Sequence, residues 1–205
     1  TVIPVLNAKC KTFYTTVRFK TFGHTADTLR KVLADAMKKY KRMVFDFRET
    51  ADECEVTARY SSKTPKESVE DMIAVFSERL QDCLYTYEEK SLAEVVSELI
   101  RSRGKKLCIA ESFTGGGIAA ALTAIPGASE FLYEDMVCYA PAAKTARLGV
   151  DAHIIERHGA VSVETAYEMA AGLLMQGNCD IAIATTGNAG PTAEKDGDVG
   201  HCFIA

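Results

Sequence analysis

The sequence predicts an α/β protein built from a small α+β domain of order βαββαβ over residues 1–90, followed by a three-layer α/β/α domain with a mixed sheet over residues 91–205. Three observations predict it. In the first region, a pair of helical patterns is set among four strand-like runs, which suits helices laid on one face of an open sheet. In the second region strands and helices alternate, which suits a sheet covered on both sides. The charge also changes between them: residues 1–90 hold 16 basic and 14 acidic side chains, residues 91–205 hold 8 and 14.

The elements follow in chain order. FYTTVRFK (13–20) alternates with period two, as a half-buried strand does. Residues 26–40 set Leu29, Val32, Leu33 and Met37 at helical spacing, with Lys38, Lys39, Lys41 and Arg42 where cations favour a helix C-terminus. Strands are expected at 43–49 and 54–62, a helix after Thr64-Pro65 with Val69, Met72, Ile73 and Phe76 inward, and a fourth strand at 83–89. Ser91 opens a helix whose apolar stripe is Leu92, Val95, Val96, Leu99 and Ile100. KLCIA (106–110) reads as a buried strand running into a Gly-rich turn and the helical stretch IAAALTAI. EDMVCY (134–139) is the next strand, and Ala142 to Leu148 form a short helix behind Pro141. Ser162 caps a helix with Ala166, Met169, Ala170 and Leu173 inward. CDIAIAT (179–185) is a strand with which VGHCFIA (199–205) would pair.

Composition narrows the function. With 47% hydrophobic and 25% charged residues the chain is an ordinary globular protein, outside the range of disordered sequences. No apolar run approaches the roughly 18 to 20 residues that cross a bilayer, and the first residues lack a signal-peptide pattern. A net charge of −4 argues against a protein devoted to neutralising nucleic-acid phosphates. Nucleic acid is therefore not an expected partner, although the first region is slightly basic and carries the 38–42 cluster. Seven scattered cysteines (10, 54, 83, 108, 138, 179, 202) without a C-x-x-C pair read as reduced thiols in a cytoplasmic protein. The apolar run Cys202 to Ala205 reads as the inside of a strand, so a longer parent protein is expected.

Two strands of the second region end in small, hydroxyl-bearing and glycine residues, and open α/β sheets bind ligands beyond the carboxyl ends of their strands. In the first turn Ser112 and Thr114 offer hydroxyls, and Gly115 to Gly117 free backbone N–H groups to face an anion. The turn is neither a Walker A loop nor a dinucleotide fingerprint, and tight strand-to-helix packing explains its glycines equally well. Thr186, Gly187 and Gly190-Pro191 form either a second cleft wall or only a turn. Ser129, after Pro126-Gly127, and Lys144, fifteen residues on, would meet only through the fold. A desolvated lysine can serve as the base for a serine nucleophile, and Tyr139 lies between them in sequence. By spacing alone, a capping serine, a surface lysine and an interfacial tyrosine are the better reading. His153 and His158 suit a turn, His24 and His201 have no evident partners, and no metal site is expected.

The motifs AESFTGG (110–116), IPGASEFL (125–132), VCYAPAAKTARLGV (137–150), ERHGAVSVETAYEMA (156–170) and TTGNAGP (185–191), followed by Val199-Gly200, resemble the C-terminal domain of the CinA family, its nicotinamide mononucleotide amidohydrolase module. Residues 13–90 resemble the small KH-type linker domain that precedes it in longer members. The resemblance implies a pyridine-nucleotide salvage amidase, without cofactor or metal, that converts nicotinamide mononucleotide to nicotinic acid mononucleotide and ammonia; a homodimer is expected. Carried over, the nucleophile falls on Ser129, the base on Lys144 and the assisting tyrosine on Tyr139. Ser112, Thr114, Gly115, Gly116, Thr186, Gly187 and Gly190 become substrate-binding residues. The chain departs from the family pattern at Phe113, usually Cys, at Ala140-Pro141-Ala142, usually more polar, and in the acidic loop 192–198. A later basic segment that binds anions in the family does not occur in the sequence. These departures keep a non-catalytic nucleotide-binding module as the alternative.

Overall fold

The computed structural model describes residues 12–50, 53–192 and 198–205. The chain divides between Leu92 and Ala93 into two compact units, each with its own four-stranded sheet.

In the first unit β1 (Tyr14–Phe22) pairs antiparallel with β3 (Glu53–Ser61) over nine residues, from Tyr14 opposite Ser61 to Phe22 opposite Glu53. With β2 (Val44–Glu49) and β4 (Leu84–Thr86) the sheet order is β2-β3-β1-β4. Period-two alternation sends Phe19, Cys54, Val56, Ala58 and Phe47 to one face. There they meet Leu29, Leu33 and Ala36 of α1 (Ala26–Lys39) and Val69, Met72 and Phe76 of α2 (Lys66–Arg79). Thr25 caps α1 by accepting from the Thr28 N–H, and Lys38 and Lys39 close it where the helix dipole favours cations. The fourth strand is shorter than the 83–89 expected. The Thr86 hydroxyl accepts from the Glu88 N–H and turns the chain away. Val32, expected in the α1 stripe, is 39% exposed.

The second unit takes all but the first residue of α3 (Leu92–Ser102) and has sheet order β6-β5-β7-β8. β5 (Leu107–Glu111), β6 (Leu132–Val137) and β7 (Ile181–Gly187) are parallel, and β8 (Cys202–Ile204) runs antiparallel to β7, so the sheet is mixed. The central strand β5 is buried along its whole length and shows how three layers arise. Leu107 and Ile109 point to one face, with Ile100 of α3 and Leu122 of α4 (Gly117–Thr123). Cys108 and Ala110 point to the other, with Leu148 of α5 (Pro141–Leu148) and Met169, Ala170 and Leu173 of α7 (Val163–Met175). Each face thus supplies half of the apolar pattern. Gly172 lets α7 approach α5 closely, since a Cβ there would overlap the Leu148 carbonyl.

Three details differ from expectation. His153 and His158 lie within a helix, α6 (Ala152–His158), not on a turn; Asp151 caps it by accepting from the His153 N–H. Leu99, placed in the α3 stripe, is 45% exposed, and Ser97 with Ile100 faces inward instead. The last strand starts only at Cys202, because Gly200 takes a positive φ of 88° and the His201 N–H turns back to the Asp198 carbonyl. Among the described residues six cysteines are free thiols, four of them buried; Cys10 lies outside the described residues. None of the described helices is long and apolar enough to cross a membrane.

Candidate functional site

β5 exits to α4 on one face of the sheet, whereas β6 exits to α5 on the other. This divergence opens a crevice at the carboxyl ends of the parallel strands. The backbone there continues the sheet for one more residue: the Ser112 N–H donates to the Thr185 carbonyl at 3.0 Å and the Cys138 N–H to the Glu111 carbonyl at 2.8 Å. Ser112 is therefore fixed in register with its neighbours. By alternation its side chain shares the face of Cys108 and Ala110, the face that α5 covers.

Lys144 arrives on that face from the first turn of α5. Pro141 occupies the first helical turn, where its missing N–H costs nothing, and Gly149 ends the helix with a φ of 72°. The Lys144 side chain is 1% exposed. Its Nζ donates to Ser112 Oγ at 2.7 Å and to the Cys138 carbonyl at 2.8 Å. These two bonds hold the amine independently of the side chains at Ala140, Pro141 and Ala142, where the chain departs from the family pattern.

Around this pair lies a cavity of about 200 Å³ with three walls. One wall is Phe113 with Tyr139 and Pro141; another is Ala160 and Val161. The third is the turn after β7, from Thr186 to Gly190, with Thr192. Tyr139 stands at the rim, 75% exposed. Thr186 is buried and its hydroxyl donates to the Ala160 carbonyl at 2.7 Å, joining two walls. Gly187 is required by close approach: a Cβ there would stand 2.5 Å from Phe113 Cδ2 and 2.7 Å from Cys202 Cβ. Asn188, also buried, accepts the Gly190 N–H on its side-chain oxygen and shapes the turn.

The structure thus brings Ser112, Lys144, Tyr139, Thr186, Gly187 and Gly190 to one cavity, and it does not bring Ser129 there. Ser129 is exposed in a single 3₁₀ turn, Ala128–Glu130, that leads into the amino end of β6. Lys144 and Ser112 lie beyond the carboxyl ends of the same parallel strands. A five-residue strand separates these ends by roughly 15 Å. The hydroxyl on the lysine is that of Ser112, not that of Ser129.

The Gly-rich turn also differs from expectation. The Gly116 N–H and two N–H groups from the start of α4 are taken by the carboxylate of Glu111. Oε2 accepts from the Gly116 and Ile118 N–H groups at 2.8 and 3.2 Å, and Oε1 from Ala119 at 2.8 Å. Burial would push this carboxyl up, but hydrogen bonds from Thr114 and from these three amides outweigh it and hold the group below its ordinary value. Thr114, Gly115 and Gly116 do not line the cavity; the Thr114 hydroxyl instead shares a 2.9 Å hydrogen bond with that of Thr185. Sequence reasoning missed Glu111, although an acidic residue closing the apolar strand just before a helix start was a readable signal. Among the described residues no group of three or more metal-ligating side chains occurs.

Comparison with known proteins places this architecture. The sequence profile of the CinA C-terminal domain matches residues 89–205. A CinA-like protein of Chloroherpeton thalassium is 50% identical over 113 residues, covering 55% of this chain and 27% of its own. A putative competence-damage inducible protein of Acetivibrio thermocellus is 33% identical over 211 residues, covering 100% of this chain and 51% of its own. The chain therefore spans about half or less of the length of these curated relatives. Among solved structures, competence damage-inducible protein A of Klebsiella pneumoniae matches with a TM-score of 0.54 and 38% identity, over 55% of this chain and 71% of that one. A competence/damage inducible protein of Agrobacterium tumefaciens gives 0.52 and 37%, over 55% and 69%. With the profile match covering more than half of its residues and a relative aligned along its whole length, the chain belongs to the CinA family.

Proposed function

We propose that the second unit carries an amide-hydrolysing site that uses Ser112 as nucleophile and Lys144 as base, with nicotinamide mononucleotide as the substrate its family resemblance implies. The observation that supports it most is the 2.7 Å contact between Lys144 Nζ and Ser112 Oγ, buried at the end of a central strand and opening on a cavity. A serine hydroxyl is a weak nucleophile until a base takes its proton, and an amine withdrawn from water is suited to be that base.

Lys144, in its neutral form, turns its lone pair to the Ser112 hydroxyl and takes its proton as Oγ attacks the carboxamide carbon. The tetrahedral adduct collapses by breaking the C–N bond, and the proton held at Nζ passes to the departing nitrogen, which leaves as ammonia. A water, deprotonated in turn by Nζ, attacks the acyl-serine; the C–Oγ bond breaks, Oγ takes the proton back from Nζ, and the carboxylic acid leaves. The Cys138 carbonyl keeps Nζ aimed at Oγ throughout. Tyr139 at the rim is placed to meet the substrate or the leaving nitrogen.

Ser112→Ala is expected to lower ammonia release from nicotinamide mononucleotide by at least about 1000-fold, the scale on which removing a nucleophile acts, while Ser129→Ala leaves it unchanged. Loss of turnover in Ser129→Ala with retention in Ser112→Ala would overturn the assignment. Calorimetry showing nucleotide binding to an intact protein that releases no ammonia would favour a binding module.

A further inference from the structure

We propose that Glu111 is a positioning residue for Ser112: by binding the turn that follows β5 to the start of α4, its carboxylate keeps the serine hydroxyl on the Lys144 amine. The inference rests on the reading of Ser112 as nucleophile.

Glu111 and Ser112 are neighbours on one strand end and point to opposite faces of the sheet, so rotation of one about the chain carries the other with it. Glu111 is 0% exposed. Its two oxygens receive three backbone N–H groups from residues 116, 118 and 119, and Thr114 donates as well. Thr114 is linked in turn to Thr185, the residue whose carbonyl accepts the Ser112 N–H. The carboxylate thus closes a ring of hydrogen bonds around the serine backbone. α4 has no side-chain cap of its own, since Gly116 stands at its N-cap, so the residue before the nucleophile does that work.

The chemistry requires a carboxylate. Both oxygens accept from N–H donors, and an amide in the same place would set an NH₂ group against a backbone N–H. Glu111→Gln therefore breaks one side of the ring with almost no change in volume. Displacement of a reacting atom by about 1 Å is worth on the order of 100-fold in rate.

The test reads Ser112 directly. The full chain is treated with a small alkyl fluorophosphonate, which transfers its phosphonyl group to an activated serine oxygen with loss of fluoride, and labelling is followed by intact mass. Glu111→Gln is expected to label Ser112 about 100-fold more slowly while remaining folded, with kcat for ammonia release falling in parallel and KM nearly unchanged. Leu173→Val, a core change that leaves the ring intact, is expected to label at the wild-type rate. If Glu111→Gln does not fold, Glu111→Asp and Thr114→Val decide the matter, each being expected to slow labelling by a smaller factor. Wild-type labelling rates in folded Glu111→Gln, or in both substitutes, would overturn the proposal, as would a wild-type protein whose Ser112 is not labelled. Labelling of the wild type without ammonia release removes the proposed substrate alone, and the labelling comparison still judges Glu111.

Discussion

Asp135 carries a cost that substitution should relieve. It lies on β6 opposite Ile109 of β5 and so shares the face to which Glu111 points. Its Oδ1 is buried without a hydrogen-bond partner. Burial, and then the negative charge of Glu111, push its carboxyl up to about 6 from an ordinary 3.8. Between those two values the native state retains a proton that the unfolded chain has released, so stability falls as pH rises through this window and the penalty is complete above it. The gap corresponds to about 3 kcal/mol, or about 2 kcal/mol once the partial exposure of the side chain is allowed for. Asp135→Asn is neutral at every pH. It should therefore stabilise the second unit by about 2 kcal/mol near pH 7.5 and by close to nothing near pH 4. Urea unfolding followed by circular dichroism, with both proteins at both pH values, measures the difference. An Asp135→Asn effect of equal size at the two pH values would refute the reasoning, because desolvation of a charge cannot act on a protonated group.

Two further substitutions probe the site walls and the buried amine. Gly187→Ala should cost about 1 to 3 kcal/mol by overpacking and lower turnover, since Phe113 can swing aside but the His201 carbonyl, 2.8 Å from the added Cβ, belongs to backbone; unchanged melting and activity would contradict this. Lys144→Met should abolish ammonia release yet leave the unit folded. It forfeits the hydrogen bonds to Ser112 and Cys138, about 1 to 3 kcal/mol each, while filling the space the amine stem occupied. Turnover persisting in that variant would remove Lys144 from the chemistry.

The elements and the family were legible from residue order alone. Each central pattern was local: alternation in residues 13–20, the Ser162 cap before a helical apolar stripe, Pro141 ahead of the short helix that became α5. Such signals are read within a few residues, and the five ordered motifs of the second region carried the resemblance to CinA. Element ends were less legible, because a threonine hydroxyl stops β4 early and a left-handed glycine delays the start of β8.

Which hydroxyl meets Lys144 depended on the assembled sheet. Ser112 and Ser129 both lie within a few residues of glycines and of a helical turn, and spacing alone does not say which one reaches Lys144. The parallel sheet does, since it sends the residue after β5 to one end of the strands and the residue before β6 to the other, and strand alternation then gives Ser112 the face from which α5 delivers its amine. The same alternation turned Glu111 away from the cavity and onto the helix start, where its charge satisfies backbone donors that the bare sequence leaves open to an outside anion.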